Sequence, residues 1–242
     1  MISEPAPSRV LIAIQARSNS SRFPGKIFEE IGRKMVLSHV IDAAKSAKIY
    51  VERAGKVHCD VAILHPEGDT KIIEKFKNSG VLLISGPEHD VLTRYVSAQR
   101  LTLADYVVRL TSDCPLVFDF IISKHINVAV YNKLDYVSNV EESCRQIADG
   151  FDCEIMSANA IEWLAENAKT AEEREHVTLA LRTRDSRALS QGFVSSKMDT
   201  SDMKLSLDTK EDLDRIRSFY HRREHKMDNA ILRFGRKRVY EL

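Results

Sequence analysis

Short, uninterrupted apolar runs alternate along this chain with segments of helical period, and that alternation most narrows what it can fold into. Val10–Leu11–Ile12–Ala13–Ile14 is continuous, β-branched and brief, the pattern of a strand covered on both faces. Val36, Leu37, Val40, Ile41 and Ala44 then recur at helical spacing, and Val57 to Leu64 reads as a second buried strand. Asp69 is placed to cap a helix carrying Ile72, Ile73 and Phe76. Val81 to Ile84 reads as a strand, Asp90 to Gln99 as a helix, and Tyr106–Val107–Val108 as a strand. This rhythm, without internal repeats, predicts an α/β fold: a mostly parallel central sheet with flanking helices on both faces. Beyond Asp135 the pattern is less regular, with shorter strand candidates near Tyr136, Cys153–Ile155 and Lys204–Leu207. No Pro/Gly/Ser-rich linker divides the chain, so residues 1–242 are expected to form a single domain. A tail at 1–8 and a basic C-terminal extension at 221–242 flank it.

Composition removes several function classes. With 43% hydrophobic and 29% charged residues in 242, the chain can bury a core without disulfides or a structural metal. A net charge of +1 supplies no global field for nucleic acid or membrane, so anion binding has to come from local arrangement. The basic extension lacks the aromatic interleaving of a nucleic-acid surface. Cys59, Cys114, Cys144 and Cys153 form no CxxC pair and no zinc-finger spacing, which predicts free thiols in a reducing compartment. Met1 to Ser8 lacks a signal-peptide pattern, and the run Val10–Ala16 is too short to span a bilayer. A cytoplasmic protein is expected.

In open parallel sheets ligands bind beyond the carboxyl ends of the strands. Two polar segments belong at that edge: Arg17 to Lys26 after the first strand, and Leu110 to Pro115 after the strand near Val108. The first concentrates Arg17, Arg22 and Lys26 around Ser18, Asn19, Ser20 and Ser21, and Pro24–Gly25 suits the centre of a type II turn. Such a segment is either a cradle for a triphosphate or an ordinary solvated loop. It is not a P-loop, because Gly25–Lys26 is followed by Ile27, and Gly-x-Gly-x-x-Gly is absent. Asp113, just past a strand, is a natural Mg²⁺ ligand beside phosphates. Asp208 precedes a helix through Leu213 and Ile216, where capping is the ordinary role and metal binding becomes plausible only with Asp113 as partner. Asp149, Asp152 and Glu154 surround a glycine, and alternation would put Asp152 and Glu154 on one face, toward an acceptor or toward solvent. Arg174–Glu175–His176 is expected to fall on a helix.

Taken in order, these segments resemble the spore-coat polysaccharide cytidylyltransferase family, related to the CMP-KDO and acylneuraminate cytidylyltransferases. The resemblance runs from Val10 to Tyr220. It is carried by Gln15–Ala16–Arg17–Ser18–Asn19–Ser20–Ser21–Arg22–Phe23–Pro24–Gly25–Lys26, Asp90–Val91–Leu92–Thr93–Arg94–Tyr95, and Arg109–Leu110–Thr111–Ser112–Asp113–Cys114–Pro115. Asp135–Tyr136–Val137–Ser138–Asn139, Asp149–Gly150–Phe151–Asp152–Cys153–Glu154, Arg174–Glu175–His176–Val177–Thr178 and Leu207–Asp208–Thr209 complete it.

The resemblance implies a glycosyltransferase-A-like fold and transfer of CMP from CTP to a sugar or sugar-acid acceptor, releasing pyrophosphate, with Mg²⁺ as cofactor and a homodimer as the common assembly. It would place Gln15, Ala16, Arg17, Ser18, Asn19, Arg22, Lys26, Arg109, Ser112 and Asp113 around the nucleotide. Arg17, Lys26, Asp113 and Asp208 would act in catalysis, the two acids holding Mg²⁺. Asp149, Asp152, Glu154, Arg174 and His176 would face the acceptor. Asn19 and Ser112 stand where the family often has glycine, Leu179 replaces a proline, and the tryptophan before the last segment is absent. Two alternatives are a nucleotide-sugar glycosyltransferase, whose Asp-x-Asp motif has a counterpart only in Asp212–Leu213–Asp214, and a non-catalytic nucleotide-binding homologue.

Overall fold

The computed structural model describes residues 6–53, 55–141, 145–196 and 199–226. Its centre is a seven-stranded sheet in the order β5-β4-β1-β6-β8-β7-β9. The strands are β1 (Ser8–Gln15), β4 (Val57–Pro66), β5 (Leu82–Gly86), β6 (Tyr106–Thr111), β7 (Tyr136–Ser138), β8 (Glu154–Ser157) and β9 (Gln191–Phe193). A small hairpin of β2 (Glu30–Ile31) and β3 (Lys34–Met35) stands apart. β5, β4, β1 and β6 run parallel, as the sequence pattern predicts; β8 is antiparallel to both β6 and β7, and β9 is parallel to β7.

The strand alternation divides the core. Val10, Ile12 and Ile14 of β1 face a layer with α1 (Val36–Glu52), α2 (Thr70–Phe76) and α4 (Asp119–Asn132). Leu11 and Ala13 face the opposite layer, which holds α3 (Val91–Thr102), α5 (Ala158–Asn167) and α7 (Leu179–Thr183), with α6 (Ala171–Glu175) beside it. A third cluster joins Ile31, Val36, Leu116, Leu205 and Leu207 to Leu213 and Ile216 of α8 (Lys210–Lys226). Each such side chain, once fully buried, contributes about 1.5–3 kcal/mol, so this cluster holds the segment before α8 under the end of β6.

Two sequence expectations change. Lys204–Leu207 is not a strand: it makes a single bridge, Asp149 to Lys204, and bends at Ser206. Its close approach to Gly150 explains why. A Cβ on Gly150, whose φ is +105°, would lie 2.4 Å from the Leu205 carbonyl carbon, so backbone packs on backbone there without a ladder. The flanks differ too, since β1 begins at Ser8 and α8 extends to Lys226, into the expected basic extension. The rest of that extension, the first five residues and Cys144 lie outside the described residues. Among the described residues, Cys59, Cys114 and Cys153 are buried free thiols, and no helix is long and apolar enough to cross a membrane.

Candidate active site

β1 has β4 on one side and β6 on the other, so the chain direction diverges at its carboxyl end, the place where open α/β sheets bind ligands. Gln15 and Thr111 are register partners, and the Ser112 N–H donates to the Gln15 carbonyl at 3.0 Å. The loops after β1 and β6 therefore leave the sheet side by side.

The first loop is closed by its own backbone. Phe23 to Lys26 form the expected turn: Gly25 has φ 76° and ψ 7°, and the Lys26 N–H donates to the Phe23 carbonyl at 3.2 Å. The Gly25 N–H reaches back to the Ser18 carbonyl at 3.0 Å. Asp69 ties the loop down from outside. One of its carboxylate oxygens caps α2 through the Ile72 N–H, and the other accepts the Ser18 N–H at 2.8 Å. The sequence marked Asp69 only as a cap; its second oxygen leaves no local signal. Asn19 does not take the left-handed conformation, and neither does Ser112, so neither glycine replacement strains the backbone. Arg17, Asn19, Ser20, Ser21, Pro24 and Glu88 line a cleft of about 400 Å³, and Arg17, Asn19, Ser21 and Arg22 are exposed. The contact of Arg17 with Glu175, 3.9 Å at the surface, is worth roughly 0–1 kcal/mol and leaves the guanidinium free to move to an anion.

Lys26 turns the other way. Only 9% exposed, its ammonium donates to Asp113 Oδ2 at 2.8 Å, the Leu207 carbonyl at 2.6 Å and Asp208 Oδ1 at 3.3 Å. The Leu207 N–H donates to the Asp113 carbonyl at 2.8 Å, so the two acidic segments are joined through backbone as well. Arg22 reaches Asp208 Oδ1 at 2.9 Å and Lys204 reaches Asp208 Oδ2 at 3.3 Å. Burial pushes the Asp113 carboxyl up, but the Lys26 charge and hydrogen bond, with Thr111, hold it below its ordinary value.

Asp208 does not cap α8. Thr209 and Asp212 do so reciprocally: the Asp212 N–H donates to Thr209 Oγ1 at 3.2 Å, and Asp212 Oδ2 accepts the Thr209 N–H at 2.9 Å. The spacing Thr209-x-x-Asp212 ahead of Leu213 was the available signal. The same geometry commits the only Asp-x-Asp sequence to a helix terminus, with Asp212 also bonded to Arg215 and Lys204, away from a strand end.

The remaining predicted residues divide into two groups. Asp149 accepts from Ser206 Oγ at 2.6 Å, and Asp152 pairs with Arg145 at 2.5 Å; both lie near Cys114, next to Asp113. Burial, opposed by Arg145 and aided by Asp149, raises the Asp152 carboxyl to about 6. Glu154, in contrast, is 1% exposed beneath the sheet edge, paired with Arg109 and accepting from the Tyr136 hydroxyl. Arg109 is thus turned to Glu154, with Gln15 nearby in contact with Tyr95 at 3.4 Å, and Ala16 is buried. Arg174 is bonded to Asp90 at 2.7 Å and Thr93 at 2.9 Å, joining α6 to the start of α3. His176 is exposed, and Val177 after it is buried with φ 53°, a left-handed β-branched residue that stores about 1–3 kcal/mol of strain.

Among the described residues no group of three or more His, Cys, Asp or Glu side chains converges on one point. Asp113 and Asp208 nevertheless converge on one cation, the Lys26 ammonium, and they offer hard oxygen donors. Two carboxylates beside phosphates are a sufficient protein contribution for Mg²⁺, so the residues present fit that ion.

A family model described as cytidylyltransferase matches residues 11–238. An uncharacterized protein of Methanocaldococcus jannaschii is 31% identical over 170 residues, 70% of this chain, which spans 65% of that relative. The spore coat polysaccharide biosynthesis protein SpsF of Bacillus subtilis is 24% identical over 90% of this chain and 89% of its own length. Among solved structures, a cytidylyltransferase from Leptospira borgpetersenii is 26% identical and superposes with a TM-score of 0.79, covering 97% of this chain and 100% of the other. A CMP:2-keto-3-deoxy-manno-octonic acid synthetase complexed with CTP superposes at 0.65 with 16% identity, covering 89% and 99%, a likeness of fold.

Proposed function

From the premise that the chain belongs to the cytidylyltransferase family, we propose that it transfers CMP from CTP to a sugar or sugar-acid acceptor, releasing pyrophosphate, in the synthesis of a surface polysaccharide or glycoconjugate. The observation that carries this reading is the meeting of Lys26, Asp113 and Asp208 at the carboxyl end of β1, beside a cationic loop.

The acceptor oxygen attacks the α-phosphorus while the bond to the pyrophosphate oxygen breaks in line. Little covalent chemistry falls to the protein, so positioning and fixed charge carry the catalysis. Arg17, which lines the cleft, and the exposed Arg22 beside Asp208 bind phosphate oxygens, and the Pro24–Gly25 turn fixes where Lys26 leaves the loop. Asp113 and Asp208 would hold Mg²⁺, which when bound supplies a Lewis acid at the reacting phosphate. Asp149, Asp152 and their partner Arg145 stand on the acceptor side, where carboxylates accept hydrogen bonds from sugar hydroxyls.

A pyrophosphate-release screen of the four NTPs against a panel of acidic and neutral sugars, with and without Mg²⁺, tests the proposal. Release that requires CTP, an acceptor and Mg²⁺ is the expected outcome. Consumption of a nucleotide sugar without pyrophosphate, or CTP binding without turnover on any acceptor, would overturn it.

A further inference from the structure

Lys26 is spoken for in an unusual way for a phosphate-binding lysine. An ammonium has three donors, and the three oxygens around this one come from two distant segments of the chain: Asp113 Oδ2 at 2.8 Å, and the adjacent Leu207 carbonyl and Asp208 Oδ1 at 2.6 and 3.3 Å. With 9% of the residue exposed, the group is enclosed by oxygens rather than extended toward the cleft. The cleft itself is lined by Arg17, Asn19 and the serines, not by Lys26. A cation therefore already sits between the two carboxylates, supplied by the protein.

Resting on the nucleotidyl-transfer reading above, we propose that Lys26 is an internal counter-ion that holds the metal's place in the nucleotide-free protein. It gives up that place only when phosphates draw it toward the cleft, so the divalent ion enters with the nucleotide and not before it.

Three features support the proposal. A divalent ion and the ammonium need the same carboxylates, and two cations a few ångströms apart in a partly enclosed site repel strongly. The lysine stem is long and flexible, so the charge can leave while the Pro24–Gly25 turn stays in place. Arg22 and Lys204 also pair with Asp208, but among the described ion pairs Lys26 alone touches both Asp113 and Asp208, so its charge offsets their repulsion across the backbone bond that joins their segments and keeps them preformed. Lys26 is thus a positioning residue for the carboxylate pair as well as a phosphate ligand.

The test is a Mn²⁺ titration of nucleotide-free protein, with free Mn²⁺ read by electron paramagnetic resonance. Lys26→Met, uncharged and similar in length, is expected to bind one Mn²⁺ at least ~10-fold more tightly than the wild type, and Lys26→Met with Asp208→Asn is expected to lose that gain. Lys26→Arg, which keeps the charge, should stay as weak as wild type. Equal affinity in wild type and Lys26→Met overturns the proposal. So does tight binding by the wild type that Asp113→Asn removes, a result that stands even if Lys26→Met does not fold. The two readings fail separately. Wild-type protein that loads metal without nucleotide yet transfers CMP refutes only the counter-ion role, and a metal gain in Lys26→Met from a protein that never releases pyrophosphate refutes only the transferase.

Discussion

Glu154 of β8 lies opposite Arg109 of β6 in the antiparallel register, and their charged groups meet with only 2% and 14% of the side chains exposed. Tyr136 supplies a further donor to the same carboxylate. Burial pushes the Glu154 carboxyl up, and the arginine and tyrosine together bring it below its ordinary value. The pair stitches the parallel half of the sheet to its antiparallel half just under the site.

Removing one partner leaves a buried charge unpaired. Glu154→Ala is expected to cost about 3–5 kcal/mol in urea unfolding, whereas Arg109→Met combined with Glu154→Leu should cost less than either single change. A Glu154→Ala protein of undiminished stability that fails only in acceptor binding would return Glu154 to the acceptor's side.

Asp113 and Asp208 should behave in the opposite way. Asp113→Asn and Asp208→Asn are each expected to lower CMP transfer by about a hundredfold or more, while the folded protein persists near neutral pH. The Asp113 carboxyl is held below its unfolded value, so its stabilising contribution is present above the ordinary carboxylate range. That contribution is lost as pH falls through the depressed folded value. Wild-type stability should therefore drop in acid more steeply than that of Asp113→Asn, as measured by denaturant titration across that window.

Asp152 carries the reverse sign. Its carboxyl is raised to about 6 in the folded state, so folding favours its protonated form, and stability falls as pH rises from the unfolded value near 4 through about 6. Asp152→Asn should remove that slope and stabilise the protein at pH 7 by roughly 1–3 kcal/mol, a range reduced by the partial exposure of the group. An unchanged slope between pH 4 and pH 7, at about the precision of an unfolding titration, would locate the proton elsewhere.

The capping pair of α8 separates stability from chemistry. Thr209→Ala removes the acceptor of the Asp212 N–H and should cost about 1 kcal/mol in thermal unfolding. Since the Asp208 N–H donates to Asp212 Oδ2 at 2.9 Å and its carboxylate is held by Arg22 and Lys26, none of which Thr209→Ala removes, transfer should fall far less than in Asp208→Asn. Equal losses in the two variants would mean the cap itself aims the carboxylate.

The parallel half of the sheet was readable because strands covered on both faces have to be continuous and apolar, as Val10–Ile14 and Val57–Leu64 are. The turn at Pro24–Gly25 was readable for an equally local reason, since few residues take φ 76°. What local pattern could not supply was pairing over distance. Nothing in the neighbourhood of Arg174 points to Asp90, and nothing near Glu154 distinguishes a buried ion pair from a polar surface strand. The Lys204–Leu207 segment misled for a related reason: its alternating pattern suits a ladder, but its neighbour is a glycine backbone.

That glycine links the two halves of the proposed reaction centre. Where Gly150 meets the Leu205 peptide, no methyl group fits, and the Leu205 N–H donates to the Asp149 carbonyl at 2.6 Å. The ribbon bearing Asp149 and Asp152 is thereby locked in step with the ribbon ending at Asp208. Gly150→Ala, far smaller than any charge change, should push these ribbons apart, cut transfer by about tenfold or more and weaken acceptor saturation at the same time. A side chain swap that alters which acceptor fits at this bend thus inevitably retunes the distance to the reacting phosphorus, so preference and turnover should drift together among variants of this loop.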